Sequence, residues 1–160
     1  MLTTLALLLA LPQAAAPCPA TPAPLPAELR SWTRPTAVTA GADAARAMRI
    51  RPGETVRATL LPRSGVRFAF LPPKGAGHAG LFGITVERAG RYKIALGDRA
   101  WIDMIRDGAP LPSVAHGHGL ACSGIAKLVE FDLRPGRYLV QITGSATRQI
   151  TLLATPVATR

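Results

Sequence analysis

From Thr55 onward the apolar residues recur with a period of two, and that period most constrains what the chain can fold into. Val56, Ala58 and Leu60 alternate with Arg57 and Thr59; Val66, Phe68 and Phe70 alternate with Arg67 and Ala69. The same rhythm returns at Phe82, Ile84 and Val86, at Tyr92, Ile94 and Leu96, at Val129, Phe131 and Leu133, at Tyr138, Val140 and Ile142, and at Ile150 and Leu152. Successive side chains of a strand point to opposite faces, so each run reads as a strand with one buried face. Trp101 to Ile105 is apolar on both parities except at Asp103, which predicts a central strand covered on both sides.

The runs are short and bounded by Gly or Pro, giving about eight strands with turns every 8–12 residues. No stretch between them offers a helix long enough for a parallel crossover. The expected fold is all-β: an antiparallel β-sandwich or jelly roll over 54–160, with short helical turns before it. Ala27 to Trp32 and Ala42 to Met48 are the candidate turns, and Trp32 is placed to dock the leader on the domain. Two segments echo each other. Both read strand, Gly-Arg-Tyr, strand, at Gly90-Arg91-Tyr92 and Gly136-Arg137-Tyr138. The pattern predicts two tight hairpins, with the glycines at positive φ and the tyrosines on the core side.

Residues 1–15 carry an apolar run of signal-peptide length followed by small residues, and residues 16–53 form a proline-rich leader. The run is too short to span a bilayer, which takes about 20 apolar residues. Pro17 before Cys18 occupies the place where a lipobox needs a small residue, which argues against a lipoprotein. The expected location is the periplasm. An oxidising compartment makes a Cys18–Cys122 disulfide available.

The net charge is +10. The basic residues are scattered, with no basic helix or aromatic row, so nucleic-acid binding is not expected. Contact with an anionic envelope surface fits the charge. There is no Gly-x-Ser-x-Gly elbow around Ser113 or Ser123, and no phosphate-binding glycine loop.

His116-Gly-His118-Gly-Leu-Ala-Cys122 concentrates the side chains able to do chemistry. Histidines two apart share one face of a strand, and Cys122 follows across a glycine turn. An N/N/S set suits Zn or Cu. Asp103, or His78 in its own glycine-rich loop, would supply a weaker fourth ligand. The other use of Cys122 is the bridge to Cys18, and the two uses exclude each other. Asp103 and Lys127 both interrupt apolar rows, and a buried carboxylate needs a partner, so the two are an expected structural ion pair. No catalytic residue is assigned; an enzyme, if this is one, would be metal-dependent.

The Gly-Arg-Tyr pair, the Trp-Ile-Asp strand and the closing Ile-Thr-Leu-Leu strand resemble bacterial pre-peptidase C-terminal-like domains over residues 54–155. That resemblance implies a β-sandwich of an exported protein with a binding or accessory role. Gly97-Asp-Arg-Ala-Trp-Ile-Asp103, Ser113-Val-Ala-His-Gly-His-Gly119 and Cys122-Ser-Gly-Ile-Ala-Lys-Leu-Val-Glu-Phe-Asp-Leu133 are similar to short exported alphaproteobacterial proteins, of sphingomonad type. Some of those carry the label homogentisate 1,2-dioxygenase, which implies Fe; this chain departs from it in having no His-x-His…Glu…His layout of cupin spacing. The expected function is an exported, noncatalytic binding module whose partner is an envelope component, a glycan or a protein. The alternative is a small metal-binding protein or metalloenzyme built on the His-x-His-x3-Cys loop.

Overall fold

A computed structural model describes Cys18 and residues 23–158, and in it two mixed sheets pack face to face as a β-sandwich. The expected signal peptide at 1–15 lies outside the described residues. The strands are β1 Thr36–Thr39, β2 Met48–Arg49, β3 Thr55–Thr59, β4 Leu61–Pro62, β5 His78–Val86, β6 Gly90–Leu96, β7 Trp101–Arg106, β8 Ala109–Pro110, β9 Ala115–Gly117, β10 Lys127–Leu133, β11 Gly136–Ser145 and β12 Gln149–Pro156. Sheet I runs β1-β3-β12-β6-β10-β9; sheet II runs β2-β5-β11-β7-β8, with β4 also on β5. The inward row of each alternating run meets the other between the sheets. Val56, Ile94, Phe131 and Leu152 of sheet I join Phe82, Met104, Val140 and Ile142 of sheet II in one cluster. Burying such side chains contributes about 1.5–3 kcal/mol each before the entropy of ordering is counted.

The leader is more than a leader. β1 pairs with β3 and β2 pairs with β5, both in parallel. The chain between β1 and β3 crosses to the opposite sheet, so the parallel neighbours need no helix. Residues 27–53 therefore belong to the sandwich, and its boundary does not fall at 54. A 3-10 turn spans Ala27–Thr33 and buries Leu29 and Trp32. They pack with Ala95, Ile125 and Leu153 on the outer face of sheet I. The second helical turn, expected over Ala42 to Met48, is instead a set of bends and turns leading into β2.

The two Gly-Arg-Tyr segments are not hairpins. β5 lies in sheet II and β6 in sheet I, while β10 lies in sheet I and β11 in sheet II. Each motif is a corner carrying the chain across the core. The tyrosine closes it by donating to the carbonyl four residues upstream, Tyr92 Oη to Arg88 O at 3.1 Å and Tyr138 Oη to Arg134 O at 2.7 Å. This is the hydrogen bond of a tyrosine corner. The two arches then pair with each other, β5 on β11 and β6 on β10, both antiparallel. Gly136 has φ of 148°, and a Cβ there would press on the Arg106 guanidinium at 3.2 Å; Gly90 does not need a positive φ. Asp107 and Gly108, at φ of 52° and 78°, do form the tight hairpin between β7 and β8.

Asp98, in the β6–β7 loop, braces the turn between β11 and β12. It accepts from Ser145 Oγ at 2.8 Å and from Ala146 N at 3.2 Å. Burial favours its neutral form, but these bonds and that from Arg99 N outweigh it, so its carboxyl sits below the usual aspartate range. A depressed folded value stabilises the native state above the unfolded value of about 3.9, and that contribution disappears as pH falls through the folded value. Asp98→Ala is expected to cost about 1–3 kcal/mol at pH 7, with the gap from the parent narrowing below about pH 4. Urea unfolding at pH 7 and pH 3 measures it; an unchanged gap would mean that the charge plays no part.

Candidate functional site

The outer faces of the two sheets are finished differently. That of sheet I is closed by the 3-10 turn and by the disulfide joining Cys18 to Cys122 in the loop after β9, with a Cα–Cα distance of 5.6 Å. That of sheet II is crossed by a strap, residues 63–73. Its first part alternates like a strand, with Val66 and Phe68 turned inward, but forms none. Both sit on Ala79, Leu81 and Leu139, which are the outward residues of β5 and β11.

The strap is held by a side chain. Gln141, on β11, is completely buried. Its Oε1 accepts from Ala69 N at 2.9 Å, and its Nε2 donates to Phe70 O at 2.9 Å and to Asp103 Oδ2 at 3.2 Å. The amide thus imitates a strand ladder for one residue pair. Asp103 faces it from β7, paired with Gln141 in the sheet register, and also accepts from Trp101 Nε1 at 2.9 Å. Lys127 Nζ donates to Ala100 O at 2.8 Å and lies 5.4 Å from the centroid of the Trp101 ring. Burial pushes the Lys127 ammonium below the usual lysine range, and the Asp103 carboxylate opposes that shift.

Gln141→Leu leaves the Ala69 N–H and the Phe70 carbonyl without partners. The expected cost is about 2–3 kcal/mol. Hydrogen exchange at Ala69 should accelerate far more than exchange in β6 or β12. If exchange at Ala69 is unchanged, the strap is held by its apolar contacts and by its other backbone bonds, such as Arg67 N to Ala42 O at 2.8 Å.

The residues singled out from sequence separate. His116 lies in the edge strand β9, opposite Val129, and is exposed. His118 is exposed beyond that strand, its Nδ1 3.1 Å from Ala126 O. Cys122 is the disulfide partner of Cys18, so its sulfur is not available as a thiolate ligand. His78 begins β5, opposite Ser145, and its Nδ1 is buried without a hydrogen-bond partner among the described residues. Among the described residues no three His, Cys, Asp or Glu side chains converge as metal ligands. The N/N/S set expected for Zn or Cu therefore does not assemble among them. The direct Asp103–Lys127 ion pair is also corrected: Asp103 bonds Trp101 and Gln141, and Lys127 bonds a carbonyl. The two remain neighbours, joined through Trp101. β7 is not buried on both faces, since Trp101 is 51% exposed.

Two depressions flank the strap. One, of about 1190 Å³, is broad and open and is lined by Arg49, Arg51, Arg88 and Arg137 with Glu87 and Asp107 among them. The other, of about 190 Å³, lies between Trp101, Lys127, Arg63, Lys74 and Arg99. The strap, its amide clasp and the Trp101 shelf were not read from sequence. One signal was there: Asp103 and Gln141 are polar residues within otherwise apolar strands. No family model matches the chain, and no curated protein matches it.

Proposed function

We propose that the chain is an exported, noncatalytic β-sandwich module that binds a component of the cell envelope through the outer face of sheet II. One observation carries this reading. Phe70 and Leu71 in the strap and Trp101 on β7 are exposed by 39%, 84% and 51%, and the Phe70 carbonyl and the Trp101 indole N–H are both bonded to the Gln141–Asp103 network. A cluster of exposed apolar side chains on a rigid polar frame is the composition of a binding surface.

The net charge of +10 favours an anionic partner. Export is supported by the apolar start of the sequence and by the disulfide, which suits an oxidising compartment. The resemblance to pre-peptidase C-terminal-like domains agrees with an accessory role. The test is fractionation of cells expressing the full chain, followed by co-sedimentation of the purified protein with envelope fragments. Periplasmic recovery is expected, as is binding lost in a Phe70→Ser/Leu71→Ser/Trp101→Ser variant that keeps the parent melting temperature. Retention in the cytoplasm, or binding unaffected by the triple substitution, would overturn the reading.

A further inference from the structure

We infer that the small depression beside Trp101 is a subsite for one acidic sugar ring, a pyranose bearing a carboxylate, presented by an envelope polysaccharide. The inference rests on the binding role proposed above and names the ligand class for part of the same face.

The first argument is the held aromatic. Trp101 is half exposed, yet its indole N–H is engaged by Asp103 and the Lys127 ammonium lies over one face of its ring, 5.4 Å from the centroid. Asp103 lies two residues along the same strand face, so the ring runs along the sheet and does not project as a wedge. With the N–H already taken and Lys127 over one face, what the indole offers is the carbon surface left exposed. The apolar C–H face of a pyranose matches that surface, and a side chain fixed in advance loses little entropy on binding.

The second argument is charge. Arg63, Lys74, Arg99 and Lys127 line the depression, and among the described residues no carboxylate does. Arg63 is occupied by Pro73 O at 2.9 Å and by the Phe68 ring, and Lys127 by Ala100 O. Lys74 and Arg99 are exposed and form no ion pair among the described residues. They are the groups free to take a carboxylate, the arginine through two parallel donors.

The third argument is size. At about 190 Å³ the depression is smaller than the roughly 300 Å³ at which drug-sized sites begin, so it suits a single ring. A nucleic-acid strand would require a row of stacking platforms along a basic groove, and this depression has one.

The test is calorimetric titration of the full chain with galacturonic acid trisaccharide, and with neutral galactotriose as the uncharged match. The acidic sugar should bind at least about tenfold more tightly, a ratio that falls in 1 M salt. Trp101→Ala should abolish measurable binding. Lys74→Gln/Arg99→Gln, two exposed changes that leave the fold intact, should weaken the acidic sugar about tenfold or more and leave the neutral one unchanged. Equal affinity for the two sugars, or acidic-sugar binding that survives Trp101→Ala, overturns the inference. So does binding of phosphatidylglycerol vesicles without binding of the acidic trisaccharide. If envelope co-sedimentation persists while the acidic trisaccharide fails, this subsite is wrong and the binding role stands. If both fail, the role falls as well.

Discussion

Breaking the Cys18–Cys122 bond, by reductant or by Cys122→Ser, is expected to lower the unfolding free energy by about 4–5 kcal/mol. The bridge closes a loop with a sequence separation of 104, which would otherwise explore a large denatured ensemble. In the native state it ties the segment before the 3-10 turn to the loop after β9, where Cys122 and Gly124 hold φ of 63° and 73°. The reduced chain should unfold at lower urea and with a steeper denaturant dependence, because its unfolded state exposes more surface. Urea titration with and without reductant measures both. A shift worth less than about 1 kcal/mol would mean that the unfolded chain already keeps these ends together.

Trp32→Ala is expected to cost about 3–5 kcal/mol, the range for removing a large buried aromatic. Trp32 is almost fully buried against sheet I, and its Nε1 donates to Ser123 O at 3.0 Å. The substitution opens a cavity over Ala95 and Leu153 and leaves that carbonyl unpaired. Ser123 follows Cys122, so the indole and the disulfide fasten the same N-terminal segment to the same loop. The two losses should therefore fall short of additive. A double-mutant cycle of Trp32→Ala with Cys122→Ser measures the coupling. Simple additivity would show that the two fasteners act on separate units.

The two fasteners also show which parts of this molecule are legible in a sequence. That Phe82, Ile84 and Val86, or Tyr138, Val140 and Ile142, form strands with one buried face follows from their own spacing, because burial on a pleated backbone alternates locally. The sandwich follows from the number and brevity of such runs. The pairing of Cys18 with Cys122 is one of two readings the sequence allows, since a thiol beside His116 and His118 could equally serve as a metal ligand.

Other features look the same in sequence whichever way they fold. Strand, Gly-Arg-Tyr, strand is consistent with a hairpin or with an arch across the core. The choice lies in which sheet receives the return strand, and a tyrosine hydroxyl reaching a carbonyl four residues back then seals it. Val66 and Phe68 alternate because one side of the strap packs on sheet II, yet the backbone there bonds to Ala42 O, in the loop after β1, and to the Gln141 side chain, and not along a neighbouring strand. His116 and His118 share a strand-like spacing, but no third ligand meets them among the described residues, because the nearby cysteine is bonded elsewhere.

The sequence by itself determined an all-β chain of short strands with an apolar interior, because side-chain burial repeats with the local backbone period. Only the tertiary structure decided that residues 27–53 belong to the sandwich, that the tyrosines are corners, and that Trp101 stands exposed on a frame built from Asp103, Gln141 and Lys127. Those features depend on contacts between residues far apart in the chain, and nothing in the spacing of neighbours records which distant strand will lie alongside.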